Sequence, residues 1–297
     1  MSLSKSDDTL TALWQILQTY APAYVHTDLN KANILKLLKL SDTDGDKKLR
    51  YTISTITKYI EDTIIYQRLS LDTQLRSSIL IEELVHRSIN KQAKKLLLQE
   101  IDSLENGSLR NMDYFSRLFQ HRETQYRLLT PQELRSETNN LQSVVNNLDI
   151  YYLAHKLHYT CEILNNRYAF TYPLESKFWT ELLPMLQKEP YCNIPLLHIY
   201  KTIIDTLTAP DETQHYKKLI DLLQEHRNKF TLRELQDLYV YPFNFAIRRI
   251  NKGESQWYQI LFDLYKNQIN QGLFNIPGYI NEFNFKNIIV IALRVHE

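Results

Sequence analysis

The sequence predicts an all-α protein built from antiparallel helical hairpins. Three observations carry that prediction: a shortage of glycine, a helical apolar period, and chain breaks spaced one helix apart. Five glycines in 297 residues is far below the average of about 7%. Strand hairpins, and loops that bring backbone against phosphate, need glycine where φ is positive or a Cβ would collide. With only Gly45, Gly107, Gly253, Gly272 and Gly278, the chain has little room for either. Long helices joined by short connections suit it better.

The apolar period supports this. From Tyr51, Ile53, Ile56, Ile60 and Ile64 fall between Thr, Lys, Glu and Asp, the one-face spacing of an amphipathic helix. Similar stripes recur at Leu75, Ile79 and Leu84, at Leu97, Leu98, Ile101 and Leu104, and at Ile199, Ile203 and Leu207. Helix starts are also marked. Thr130-Pro131-Gln132-Glu133 combines an N-cap threonine, proline at the first helical position and a capping-box glutamate. Thr231 and Glu234 repeat the box, and Asp211 follows Pro210 just before another stripe. About a dozen helices are expected.

After Ile194 the breaks come at Pro210-Asp211, residues 228–231, residues 251–253 and Gln271-Gly272. Helix, short turn, helix is one antiparallel hairpin, and several in succession predict an irregular right-handed α-solenoid. A compact bundle without repeats is the alternative. Tyr200, Ile203 and Leu207 return as Tyr216, Leu219 and Leu223. That offset resembles the spacing between the two helices of a tetratricopeptide hairpin, although the small Gly and Ala positions of that repeat are filled here by large side chains. The runs Phe245–Glu254, Leu261–Tyr265 and Phe285–Arg294 resemble a group of bacterial helical-repeat proteins of the Bacteroidetes type. That resemblance implies helical-repeat architecture and no chemistry. The expected boundary lies around residues 128–131, between a less regular helical region, 1–129, and a tetratricopeptide-like region, 130–297. The chain stops at Val295-His296-Glu297, after an apolar helix with no capping glycine. Continuation into a longer protein, or a partner on the last helix, is expected there, with a full-length chain that frays at its end as the alternative.

Composition narrows the function. Thirty-five Lys and Arg against 34 Asp and Glu leave a formal charge of +1, without the basic balance of a nucleic-acid-binding domain. Cys161 and Cys192 make neither a disulfide framework nor a zinc spacing. The N-terminus carries acids where a secretory signal has a basic region, and no apolar run approaches 18 residues. A cytoplasmic protein with no membrane association is expected.

Asp42-Thr-Asp44-Gly-Asp46 has its glycine fourth and Ile53 twelfth. A calcium loop needs glycine sixth and glutamate twelfth, so residues 41–48 read as a solvated surface loop. Glu83/His86 and Glu212/His215 have the spacing of di-iron helices but need no metal. His155, His158 and Cys161 spread over about 120° of a helix, wide for one metal, and read as partly buried rings against aromatics. No nucleophile elbow, P-loop or dinucleotide fingerprint is present. The nearest basic-aromatic patch is Arg248, Arg249 and Lys252 beside Tyr239, Tyr241 and Phe243. These six are the candidate partner-binding residues, with cations at a helix C-terminus as the simpler account. The expectation is a non-enzymatic scaffold holding a protein or peptide partner, without catalytic residues, metal or cofactor. A helical nucleic-acid-binding or regulatory domain comes second and an all-α enzyme third.

Overall fold

The computed structural model describes residues 8–40, 42–136, 138–167, 174–274 and 282–296. No described residue is in a strand, and no described helix is long and apolar enough to cross a membrane. The chain divides into two compact units, Met1–Glu83 and Leu84–Glu297.

The first unit holds α1 (Asp8–Thr19), α2 (Lys31–Leu37), α3 (Asp42–Leu71) and most of α4 (Thr73–His86). Helices α1 and α2 pack on α3 around Leu13, Leu49 and Ile56, with Leu10, Leu17, Ile34 and Leu35 against them. At 1.5 Å per residue α3 is about 45 Å long and α1 about 18 Å, so the smaller helices cover only part of it. The helix expected from Tyr51 onward is therefore present, but its stripe is mostly bare. Ile56 is buried, whereas Ile53, Ile60 and Ile64 are 47%, 42% and 59% exposed.

Of the expected loop at 41–48, residues 42–48 are helical. Ser41 lies outside the described residues, and from Asp42 the chain is already α3. A Ser-Asp-Thr-Asp-Gly-Asp composition suits a turn, but carboxylates in the opening turns also complement the helix dipole. Asp46 is held by Lys31 and Arg50, each at 2.6 Å, which keeps its carboxyl below the ordinary range, the Lys31 contact first. Gly45 is required by contact, since a Cβ there would lie 3.0 Å from Leu40 Cβ. A backbone wound into helix cannot wrap a calcium ion, so that motif is excluded geometrically. Asp72 makes the joint to α4, accepting from the Leu75 N–H at 2.9 Å and from Arg68 at 2.8 Å.

The second unit holds α5 (Asn90–Asn106), α6 (Met112–Arg127), α7 (Pro131–Ser136), α8 (Thr138–Asn166), α9 (Trp179–Leu182), α10 (Pro195–Thr208), α11 (Thr213–Glu225), α12 (Leu232–Asn251), α13 (Gln256–Asn270) and α14 (Glu282–His296). The expected breaks at 210–211, 228–231, 251–253 and 271–272 all fall between helices. Both capping boxes form, Thr130 with Glu133 and Thr231 with Glu234. Glu133 is also held by Lys94, the main cause of its carboxyl falling to about 2. Helix α6 packs on α8, so the turn at 128–131 joins elements of one unit.

Sequential helices pack in order, α10 on α11, α11 on α12, α12 on α13 and α13 on α14. Tyr200, Ile203 and Leu207 on α10, and their counterparts Tyr216, Leu219 and Leu223 on α11, are all buried. Large aromatics fill the far end, where Tyr216, Phe245 and Trp257 meet at centroid distances of 4.9–5.3 Å. Helix α14 turns Ile288 and Ile291 into this cluster and leaves Phe285, Ile289 and Leu293 exposed.

Helices α8, α10 and α12 form a row running in one direction. Side-chain contacts tie His158 to Tyr200 and Arg167 to Leu207 along α8 and α10. Glu162 to Tyr241 and Asn165 to Arg248 do so along α8 and α12. In each pair both residue numbers rise together, which defines parallel neighbours.

Candidate functional site

The parallel row has two unlike ends. At one end α8, α10 and α12 all finish, at Asn166, Thr208 and Asn251. Each helix C-terminus carries about half a negative charge and unsatisfied carbonyls, so three together form a concentrated acceptor surface. Four cations gather there, Arg167, Arg248, Arg249 and Lys252, around a cavity of about 340 Å³. Arg167 donates to the Leu207 carbonyl at 3.3 Å, and Arg248 to the Asn165 carbonyl at 3.2 Å. Arg249 donates to the Pro210 carbonyl at 3.4 Å, pairs with Asp211 at 3.1 Å and Glu254 at 2.9 Å, and lies 5.8 Å from the Trp257 ring. These arginines close helix ends.

The other feature is a cleft of about 240 Å³ between α8, α10 and α12, with Met112 of α6 at its edge. Helix α8 contributes His155, His158, Tyr159 and Glu162, spaced by three, four and seven along one face. Helix α10 adds Leu196 and Tyr200. Helix α12 adds Glu234, Asp237, Leu238 and Tyr241, with Phe230 just before it. Tyr241 donates its hydroxyl proton to Glu162 at 2.7 Å, and the Tyr200 hydroxyl meets His158 Nδ1 at 3.3 Å. Burial drives both phenols well above their ordinary range. His155 Nδ1 lies 3.0 Å from the Tyr151 carbonyl. A carbonyl only accepts, so Nδ1 carries a proton there. Asp237 is raised by burial, partly opposed by Arg233.

Of the six candidate partner-binding residues, Tyr241 alone lines this cleft, and only 3% of it is exposed. Tyr239 is 1% exposed, and Phe243 stacks on Tyr265 at 4.5 Å. The six are not one patch. Residues two apart on a helix point about 200° apart, so Tyr241 faces α8 while Tyr239 and Phe243 face the opposite side. Arg248, Arg249 and Lys252 lie at the far end of α12.

His155 and His158 do sit against aromatics, Tyr151 at 4.3 Å and Tyr200 at 5.7 Å. Cys161 is fully buried, its thiol pushed up by burial and directed at the Tyr200 carbonyl at 3.5 Å. The residue that joins the histidines is Glu162, whose i+4 relation to His158 was visible in the sequence. Glu212 and His215 make an exposed pair at 3.0 Å. Among the described residues no group of three His, Cys, Asp or Glu is placed to hold a metal ion.

His121, His158 and His198 are all held below the ordinary histidine range, mainly by burial. With folded values depressed, the unfolded chain takes up protons first. Their contribution is complete above about pH 6.5 and is lost as pH falls toward the folded values. The urea midpoint is expected to be lower at pH 5.5 than at pH 7.5, and the three imidazole NMR titrations to fall below 6.5. Equal midpoints would contradict this.

Compared with protein-family models, curated proteins and solved structures, the chain matches none of them.

Proposed function

We propose that the chain is a non-enzymatic scaffold for a protein or peptide partner. In this reading its second unit is a short, irregular right-handed α-solenoid of the tetratricopeptide-like kind, in keeping with the resemblance to bacterial helical-repeat proteins. The parallel run of α10 beside α8 and the packing of each helix from α10 to α14 on its sequence neighbour support it, because successive hairpins of a solenoid place equivalent helices side by side. The observation that carries the function is the open cleft between α8, α10 and α12. Its floor is fixed by buried tyrosines and its rim carries Tyr159, 61% exposed. Pre-formed aromatic and polar grooves of this kind capture a segment of another chain.

The test is affinity purification from the native cells with the intact chain and with Tyr159→Ala. A protein recovered after nuclease treatment is expected. Loss of an interface tyrosine worth about 1–2 kcal/mol lowers its recovery several-fold. Recovery of nuclease-sensitive material alone, or of nothing, sinks the reading.

One observation favours an all-α enzyme as a second reading: two histidines and three carboxylates converge on the cleft, and shifted groups cluster at catalytic sites. Two features weigh against it. The histidine contacts in the cleft are to a carbonyl and a phenol, and its lining includes no serine, threonine, cysteine or lysine. The nucleic-acid reading needs free cations in a stripe, whereas Arg249 is matched by Asp211 and Glu254.

A further inference from the structure

We propose that the cleft is a receptor for one alkylammonium or guanidinium group, presented by a lysine or arginine side chain of the partner. The chemistry rests on the cleft itself, and only the source of the cation rests on the scaffold reading.

The argument is an inventory of donors and acceptors. Three carboxylates line the cavity, Glu162, Glu234 and Asp237, and no lysine or arginine does. Arg233 acts on Asp237 from outside the lining. Of the lining tyrosines, Tyr241 commits its proton to Glu162, and the Tyr200 hydroxyl is in contact with His158 Nδ1. Glu234 takes the Asn111 side-chain amide at 2.8 Å and the Thr231 cap. Asp237 has no hydrogen-bond or ion-pair partner among the described residues.

A cavity with surplus acceptors and negative charge selects a cationic donor. Its apolar walls narrow the choice further. Tyr159 and Phe230 line it, and aromatic rings attract a cation through their quadrupole and prefer alkylated cations to strongly hydrated small ones. Burial keeps His158 neutral at pH 7, so it does not repel the cation. At about 240 Å³ the space is below the roughly 300–1,000 Å³ of small-molecule pockets, which suits the end of one long side chain.

The probe is N-butylguanidinium, titrated into the full chain while the imidazole NMR signals of His155 and His158 are followed. Neutral N-butylurea is the control of equal shape. Saturable shifts with the cation and none with the urea are expected, with affinity at least tenfold weaker in Asp237→Asn and in Glu162→Gln. Asp237 is exposed and unpaired, so its variant keeps the fold. A flat titration, equal response to the urea, or unchanged affinity in Asp237→Asn overturns the proposal. Two further arms locate the source. A peptide with one arginine should compete with the probe, and its citrulline counterpart should not. In the native-cell purification, equal partner recovery by wild type and Asp237→Asn overturns the proposal while the scaffold stands. A saturable titration without any recovered partner overturns the partner as source and the scaffold with it, leaving the cleft's chemistry to a free amine.

Discussion

Trp257→Ala is expected to remove about 3–5 kcal/mol of stability from the second unit. Trp257 is 3% exposed and sits between Tyr216 at 4.9 Å and Phe245 at 5.3 Å, both edge-on. Its indole N–H donates to Glu254 at 3.1 Å, and its ring lies 5.8 Å from Arg249. Truncation therefore opens a cavity among large, stiff rings that collapse poorly, and it loosens the turn after α12, which Glu254 and Arg249 hold. Trp257→Phe keeps most of the volume and should recover more than half of the loss. The urea midpoint followed by circular dichroism measures both. A change below about 1 kcal/mol, typical of surface substitutions, would contradict the packing described.

Ile203→Ala should cost about 2–5 kcal/mol, while Ile60→Ala stays within about 0.5 kcal/mol. The sequence gives no reason for the difference, since both isoleucines sit in the middle of amphipathic stripes. Ile203 is fully buried on α10, whereas Ile60 on α3 is 42% exposed. The paired measurement separates a stripe that is covered from one that is not. Equal losses would mean that the α3 stripe is buried in solution.

This contrast also explains how much of the fold was legible. Between residues 194 and 272 each break is signed locally, by Pro210, the Thr231 box, Gly253 or Gly272. Each stripe there is also covered by its sequence neighbour, so period and burial agree. In α3 they part, because an apolar period says that a face exists and not that anything lies on it. Residues 42–48 misled for a related reason. Asp, Thr and Gly serve both turns and helix starts, so their composition alone does not separate the two.

The cleft was only partly legible. His155, His158 and Glu162 share one face of one helix, and that spacing could be read directly. Cys161, on the same helix, lies in the core instead. Tyr200, Asp237 and Tyr241 come from segments about 40–80 residues away, and only packing brings them together. Tyr241 has aromatic and basic neighbours in sequence, yet its hydrogen bond is to Glu162 on another helix. The arginines of α12 could be placed at a helix end from sequence, but three helices ending together there is a tertiary fact.

The central claim is that a partner chain enters the cleft between α8, α10 and α12. Placing the photocrosslinker p-benzoylphenylalanine at position 159 in the native cells tests it most directly, with the exposed Lys188 position as control. The account predicts a discrete protein adduct from position 159, competed by N-butylguanidinium and missing at position 188. No adduct at 159, or the same adducts from both positions, would contradict it.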